Sequence, residues 1–480
     1  FEYRTMRVAL SFGVAAAVTP YDLHDGLSLK LEVKCEGRWP QDPYRLFAPS
    51  DQPGTTSSLQ QDGGTLSLHA VPGKQDVYHL KTDSGRYLSY TADCGTTVVD
   101  SWPEAGGNQQ FKLAKPSQFT ATLEAVGVDA SCKSRFVSGS CGAKQGEVRL
   151  SSSDTQFFTH IEATGLQHVV NTGGCPDPFA WRRSNGSYSL ICTGGDLPFW
   201  SAPALHASTV LTPVGSALGG TPAAWASIGA RWAPEVLEAA PGVDVMVVCD
   251  EQATKEHRVG WVKSSTGEPG SFTEYSPQAL DLGGQPGGDI DPHLFRDTDG
   301  TTYIVWKTDD NRINLPTTRL WAQQADVDAD GLRLKGEPKM IMDSTGLWWI
   351  TSFVPNGSLV EGPEVVKRGE WYYLFFASGR FCQDSYSEGV ARSKSIWGPY
   401  DKLPVPLLST GLVGSAPNGK LVGPGHASFP AGPDGTPTLV VWHASIGENT
   451  DRHAFVDAMK WTEDGWPVVD FGVGADAVLV

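Results

Sequence analysis

Positive charge is scarce in this chain. Lys and Arg number 37 against 54 Asp and Glu, for a net charge of −17, and all four types together make only 19% of the 480 residues. Such a surface has no basic patch to neutralise phosphates, which argues against nucleic acid as a partner and favours a neutral ligand over an acidic one. No run of 18 apolar residues occurs, so no helix is expected to cross a membrane. The eight cysteines form no C-x-x-C pair, which argues against a zinc site and for disulfides or buried thiols. A His-Glu-x-x-His zinc helix, a phosphate-binding loop, a dinucleotide fingerprint and a G-x-S-x-G elbow are all missing. Amphipathic helical stretches are few as well.

What is present is turn-forming and aromatic. Gly 54, Pro 33 and Trp 16 describe a turn-rich all-β protein. Along the last two thirds of the chain one pattern returns five times: a polar motif beside Pro or Gly, then a turn, then a strand-like apolar run. The motifs are Asp177-Pro178, Pro234-Glu235, Asp291-Pro292, Glu361-Gly362-Pro363 and Gly425-His426, and each precedes a run such as Tyr303-Ile304-Val305-Trp306 or Leu439-Val440-Val441-Trp442. They recur roughly every 60 residues, close to one four-stranded blade with its connections, so a five-bladed β-propeller is expected over residues 163–480. Residues in phase then converge on the central channel. Three of the five motifs bring a carboxylate there: Asp177, Asp291 and Glu361.

The first stretch reads differently. Met6-Arg7 and the apolar segment to Val18 fit either a leader segment over residues 1–20 or an ordinary first strand. Residues 21–162 hold short strands between Gly, Asp and Ser turns, joined to the repeats near Ala163-Thr164-Gly165. Gln110-Phe111 and Gln156-Phe157 resemble the Gln-x-aromatic signature of ricin-type β-trefoil domains, which implies a β-trefoil-like, carbohydrate-binding module; another small β module is the alternative. Cys132 with Cys141, and Cys35 with Cys94, are the expected bridges, and Asn185-Gly186-Ser187 and Asn356-Gly357-Ser358 are glycosylation sequons.

Carboxylates brought together from different blades suit glycoside hydrolysis. One must be protonated to donate to the leaving oxygen, and another ionised to activate water or attack. A third can hold the acid and keep it protonated by like-charge repulsion. Each residue also has a bland role: Asp before Pro caps turns, a single His is usually core, and most of the Trp must be core too. Glu364 is a rival acid, read as solvated or structural, and Asp297 and Asp299 are read as serving a hairpin turn.

The motifs Cys175-Pro176-Asp177-Pro178-Phe179, Arg231-Trp232-Ala233-Pro234-Glu235-Val236, Asp289-Ile290-Asp291-Pro292-His293-Leu294-Phe295, Val360-Glu361-Gly362-Pro363-Glu364 with Val390-Ala391-Arg392-Ser393, and Gly423-Pro424-Gly425-His426 resemble, in order, the five-bladed propeller enzymes of glycoside hydrolase family 43. The resemblance implies an inverting mechanism, with Asp177 as general base, Glu361 as general acid and Asp291 as the residue that tunes the acid. It also implies a channel histidine at His426, beside a bound cation such as calcium, and a sugar-site aromatic at Trp232. Trp200, Trp225, Trp348, Trp349 and Arg452 are further candidates for substrate contact, and His443 and Arg452 for reaching the channel.

The function expected is cleavage of arabinofuranosyl or xylosyl linkages in plant-type polysaccharide, with no cofactor required. The alternatives are an exo-β-galactanase or endo-arabinanase of the same family, or a non-catalytic carbohydrate-binding propeller. A retaining, fructan-cleaving propeller is disfavoured by Ile290-Asp291-Pro292 and Glu361-Gly362, where Arg-Asp-Pro and Glu-Cys are expected. A secreted monomer acting on an oligo- or polysaccharide, without nucleic acid or membrane partners, completes the expectation.

Overall fold

The computed structural model describes residues 173–471 apart from 207–208, 347–349, 351–356, 382, 411, 414, 417–418, 433–435, 448–450 and 463, together with strands and adjoining residues between positions 28 and 161. The chain divides into two compact units, Phe1–Glu162 and Ala163–Val480. No helix among the described residues is long and apolar enough to cross a membrane.

The first unit is built of short antiparallel strands, ten of them joined in one sheet in which the first, Ser28–Val33, pairs with the last, Phe157–Ile161. Phe111 is buried against Tyr90 at 5.4 Å between ring centroids, and Gln110 accepts a 2.6 Å hydrogen bond from Lys74. The leader segment, Gln156, and Cys35, Cys94, Cys132 and Cys141 lie outside the described residues, so the trefoil lobes and the two bridges have no structural counterpart to be compared with.

The second unit is the five-bladed propeller. Its five antiparallel sheets begin at Phe179, Arg231, Asp289, Glu361 and Ser415 and are here called blades I to V. The inner strands are Phe179–Arg182, Arg231–Ala240, Asp289–Arg296, Glu361–Arg368 and Gly419–Ser428, and each touches the next in cyclic order, V closing on I. Turn chemistry sets the hairpins. At Asn185-Gly186 the Asn Oδ1 accepts the Ser187 N–H at 2.9 Å, and Gly186 takes a φ of 88° that an L side chain would resist. Second strands such as Val243–Glu251 are buried through their middle, because each blade is covered on both faces by its neighbours. The apolar cores accordingly lie between blades: V with I around Val441 and Leu190, I with II around Phe199 and Met246, II with III around Val247 and Trp306, and III with IV around Val305 and Leu374.

One backbone feature marks the fivefold repeat. Asp177, Ala233, Asp291, Gly362 and His426 all have positive φ, between 43° and 53°. In blades II to V this residue sits in a β-bulge of the inner strand, with ladder register shifting between Trp232 and Glu235, Ile290 and His293, Glu361 and Glu364, and on both sides of Gly425. Four of these residues carry a Cβ and strain in this region costs about 1–3 kcal/mol each, so the surrounding ring must hold the conformation in place.

Two residues after each marker a side chain ties the ring together. Glu235 accepts the Leu294 N–H, His293 Nε2 accepts that of Val365 at 3.0 Å, Glu364 Oε1 that of Phe429 at 3.0 Å, and Ser428 Oγ that of Ala180 at 3.0 Å. The acceptor is always at marker plus two and the donor at marker plus three of the next blade. Between blades I and II, where Phe179 has no polar atom to offer, Thr193 Oγ1 accepts the Ala233 N–H at 2.8 Å instead.

Candidate active site

The markers open one end of the channel, and the carboxylates gather there around His426. Asp177 ends the connection into blade I, and both of its oxygens are engaged. Arg452 Nη1 donates to Oδ1 at 2.8 Å and the Thr193 hydroxyl to Oδ2 at 2.6 Å, while its own N–H donates to His443 Nδ1 at 3.0 Å. Burial by itself would raise the Asp177 pKa, but the charges of Arg452 and His426 and the Thr193 hydrogen bond hold it well below the usual carboxylate range. It is therefore an ionised acceptor.

Asp291 stands one blade further than Ala233. Its Oδ2 accepts the Gly362 N–H at 3.0 Å. Burial, followed by the nearby Glu361 and Asp177, pushes its pKa up to about 6, against the pull of His426 and Lys307. Glu361 has a donor on each oxygen: the Tyr386 hydroxyl 2.7 Å from Oε1 and Lys307 Nζ 3.2 Å from Oε2. It does not occupy the marker position. Gly362 does, and Glu361 lies one residue earlier, in register with Ile290 and Trp232, so the equivalence of three in-phase carboxylates is corrected to two in phase and one offset. The offset is needed because the marker in blade IV faces the His426 ring, where a Cβ would stand 3.0 Å from the imidazole.

His426 Nδ1 is 3.3 Å from Asp177 Oδ1. Burial would lower its pKa, yet Asp177, Asp291 and Glu361 together raise it. Among the described residues His426 belongs to no group of three ligating side chains within 4.8 Å of one another, so the cation expected there has no side-chain ligand set, and no step below runs through one. Among the described residues, the group whose ligating atoms lie within 4.8 Å of one another is Glu235, His293 and Glu364, one layer below. There His293 Nε2 already accepts a backbone N–H, which leaves the proton on Nδ1 to be donated to Glu235 at 2.6 Å. Burial raises Glu364 to about 8 and Glu235 well above its ordinary value, and with His293 Nε2 taken by the Val365 N–H and Glu364 by that of Phe429 this layer serves as a hydrogen-bonded tie between blades. Glu364 is thus structural and buried, not solvated.

The other candidates divide. Trp232 is 38% exposed at the mouth of blade II, stacked on His257 at 3.6 Å between centroids. Arg452 reaches the site as expected, with its guanidinium 4.6 Å from the Phe381 ring. Trp200 and Trp225 are corrected to core residues. Trp200, 4% exposed, packs between blades V and I, and Trp225, 6% exposed, donates its Nε1–H to Ser276 O at 2.8 Å with its indole where any Cβ at Gly260 would lie. Neither offers a ring face to a sugar. Trp348, Trp349 and Cys382 fall outside the described residues. Asp299 serves its hairpin through the Thr301 N–H, whereas Asp297 also crosses to blade IV, accepting the Tyr372 hydroxyl at 2.5 Å.

Thr193, Lys307, Tyr386 and Phe381 are site residues that the sequence reading did not single out. Lys307 carried a signal: a lysine closing the apolar run Tyr303-Ile304-Val305-Trp306 is out of place on a buried strand unless it has an acidic partner. Cys175 is bonded to Cys192, so the residues just outside Asp177 and Thr193 are tied together. Cys249 is a buried free thiol.

Known proteins share this architecture. A probable arabinan endo-1,5-alpha-L-arabinosidase A of Aspergillus clavatus is 26% identical over 349 residues, 66% of this chain and 97% of that protein. A xylosidase/arabinosidase 43B of Humicola insolens is 31% identical over 190 residues, 38% of this chain, and a non-reducing end alpha-L-arabinofuranosidase of Bacteroides ovatus 33% identical over 133 residues, 26% of this chain; the aligned regions span only 32% and 23% of those two curated relatives. Among solved structures, a thermostable family-43 glycoside hydrolase matches with a TM-score of 0.51 at 24% identity, over 64% of this chain and 95% of that one, a likeness of fold. Residues 166–467, more than half of the chain, match the family model of the glycosyl hydrolases family 43, and the chain belongs to that family.

Proposed function

We propose that this protein is an inverting glycoside hydrolase that cleaves arabinofuranosyl or xylosyl linkages of plant-type polysaccharide. The observation that carries the proposal is the division of labour among three carboxylates around one imidazole: Asp177 held ionised by Arg452 and Thr193, and Asp291 with raised pKa beside Glu361. Asp177 accepts a proton from a water that attacks the anomeric carbon. Glu361 donates a proton to the leaving glycosidic oxygen as the C–O bond breaks, and Asp291, through the Gly362 N–H, fixes where Glu361 stands. Trp232 offers an apolar ring to a sugar face at the mouth. Acid, base and water complete the reaction without a cofactor.

The names of the relatives support pentose linkages, and the probable arabinan endo-1,5-alpha-L-arabinosidase aligned over 97% of its length favours a second reading, internal cleavage of arabinan. The buried Cys175–Cys192 disulfide supports secretion into an oxidising compartment. We also take the protein to act as a monomer and residues 21–162 to bind carbohydrate. Removing them is expected to spare turnover of a small aryl glycoside and abolish retention on insoluble polysaccharide.

The test is turnover of 4-nitrophenyl arabinofuranoside, xyloside and galactoside and of linear arabinan, with product anomers followed by NMR. Inversion is expected, together with losses of about 10²–10⁴-fold in Asp177→Ala and Glu361→Gln on a substrate whose leaving group is a sugar, with sugar binding retained. Retained configuration, or unchanged turnover of the sugar-leaving substrate in either variant, sinks the assignment.

A further inference from the structure

Lys307 is the least expected charge in the propeller. It closes the second strand of blade III, Thr302–Thr308, and is only 1% exposed. Burying an ammonium is costly unless it is paired and hydrogen-bonded. Its Nζ has two carboxylate partners, Asp309 Oδ1 at 3.3 Å and Glu361 Oε2 at 3.2 Å. Burial would lower the Lys307 pKa, but Asp309, Glu361 and Asp291 outweigh it and raise it above the ordinary lysine value, so the group stays charged.

A partner of this kind is not needed to build the strand. The same position in blade I is Thr193, which also turns its side chain to a channel carboxylate. Glu361 receives Lys307 on one oxygen and Tyr386 on the other. Tyr386 is itself fixed, buried and stacked parallel to His443 at 5.7 Å, with no room for a Cβ at Gly425 beside it. Both donors therefore aim at one carboxylate, Lys307 from the second strand of blade III and Tyr386 from the residue just before the strand Ser387–Ser393 of blade IV.

The arrangement has a chemical sense. Lys307 Nζ lies between Asp309 and Glu361. When a proton passes from Glu361 to the leaving oxygen, a negative charge appears on Glu361, and the donors already in place, Lys307 Nζ and the Tyr386 hydroxyl, are those that bind a carboxylate.

We propose that Lys307 is a positioning residue for leaving-group protonation, holding Glu361 through Oε2 and stabilising the carboxylate left when its O–H bond breaks and a new O–H bond forms on the departing oxygen. The inference rests on Glu361 being the general acid. Such stabilisation grows along the reaction coordinate and so counts toward the rate, not merely toward binding.

The experiment compares two substrates of the same glycone, one with a sugar leaving group and one with 2,4-dinitrophenolate, which departs without a proton. For Lys307→Met the ratio of kcat/KM for the sugar-leaving substrate to that for the aryl one is expected to fall by about 10²-fold, in the direction seen for Glu361→Gln. Equal losses on both substrates, or none, overturn the proposal. Should removal of the ammonium beside Asp309 prevent folding, the double variant Lys307→Met, Asp309→Asn removes the orphaned charge as well and is held to the same ratio. If Glu361→Gln shows no split between substrates, the assignment of the acid fails. If Glu361→Gln shows it and neither Lys307 variant does, only the role of Lys307 fails.

Discussion

The Thr193 hydroxyl donates to Asp177 at 2.6 Å while accepting the Ala233 N–H at 2.8 Å, so one side chain orients the Asp177 carboxylate and joins blade I to blade II. The two tasks explain why a small β-branched alcohol stands there: valine would keep the shape and lose both bonds. A charge-assisted hydrogen bond contributes about 1.5–3 kcal/mol, and an orphaned buried amide costs about 1–3 kcal/mol. Thr193→Val is therefore expected to lower kcat/KM by about 10- to 100-fold and to reduce the melting temperature as well. Steady-state kinetics beside thermal unfolding measure both; a variant with wild-type kinetics would remove Thr193 from the site.

Trp232 and Trp225 differ by only seven positions and should respond in opposite ways. Trp232→Ala removes an exposed ring, so KM is expected to rise with kcat and stability little changed. Trp225→Ala and Trp200→Ala empty cores between blades and should cost about 3–5 kcal/mol in denaturant titrations. A stability loss in Trp232→Ala equal to that in Trp225→Ala would contradict the surface role.

Glu364 makes stability depend on pH. Its pKa is about 8 in the folded protein against an ordinary 4.5, so between these values the folded state holds a proton that the unfolded chain has released. Its contribution is complete below about pH 4.5 and is lost as pH rises toward and through about 8. Glu364→Gln cannot ionise and keeps an oxygen for the Phe429 N–H. Relative to the parent it should gain more than about 1 kcal/mol between pH 5 and pH 8 in urea unfolding. A constant difference across that range would mean that Glu364 is ionised in the folded protein.

Gly362 and Gly369 provide a matched pair. Both have positive φ, 53° and 60°, but an added Cβ meets the His426 ring at 3.0 Å in the first and nothing within 4 Å in the second. Gly369→Ala should lose only the backbone cost of about 1–2 kcal/mol. Gly362→Ala should lose more and also lower kcat, because His426 must give way. Equal effects would show that the imidazole has room to move.

Local chemistry accounts for what could be read from the chain alone. The spacing of Asp177-Pro178, Asp291-Pro292 and Gly425-His426, each ahead of a turn and an apolar run, was enough for five blades, for the all-β class and for convergence of those residues on one channel, because a closed repeat carries positions of equal phase to a common axis. Trp232 is legible only through the resemblance to the family motif, and Arg452 only as one candidate among several for reaching the channel.

Phase within a bulge, and burial, were decided by the tertiary structure. Glu361 lies one residue off the marker because the His426 ring from the next blade leaves no room for a side chain at Gly362, a contact between positions far apart in the chain. Trp200 and Trp225 are core because neighbouring blades cover their faces, which composition cannot foretell. Thr193, Lys307 and Tyr386 acquire their roles only where separate strands end at the same rim. The sequence by itself determined how many blades there are and which motifs face inward, since both follow from periodicity; the fold decided which oxygen each donor meets, since that depends on the side chains the ring brings within about 3 Å of one another.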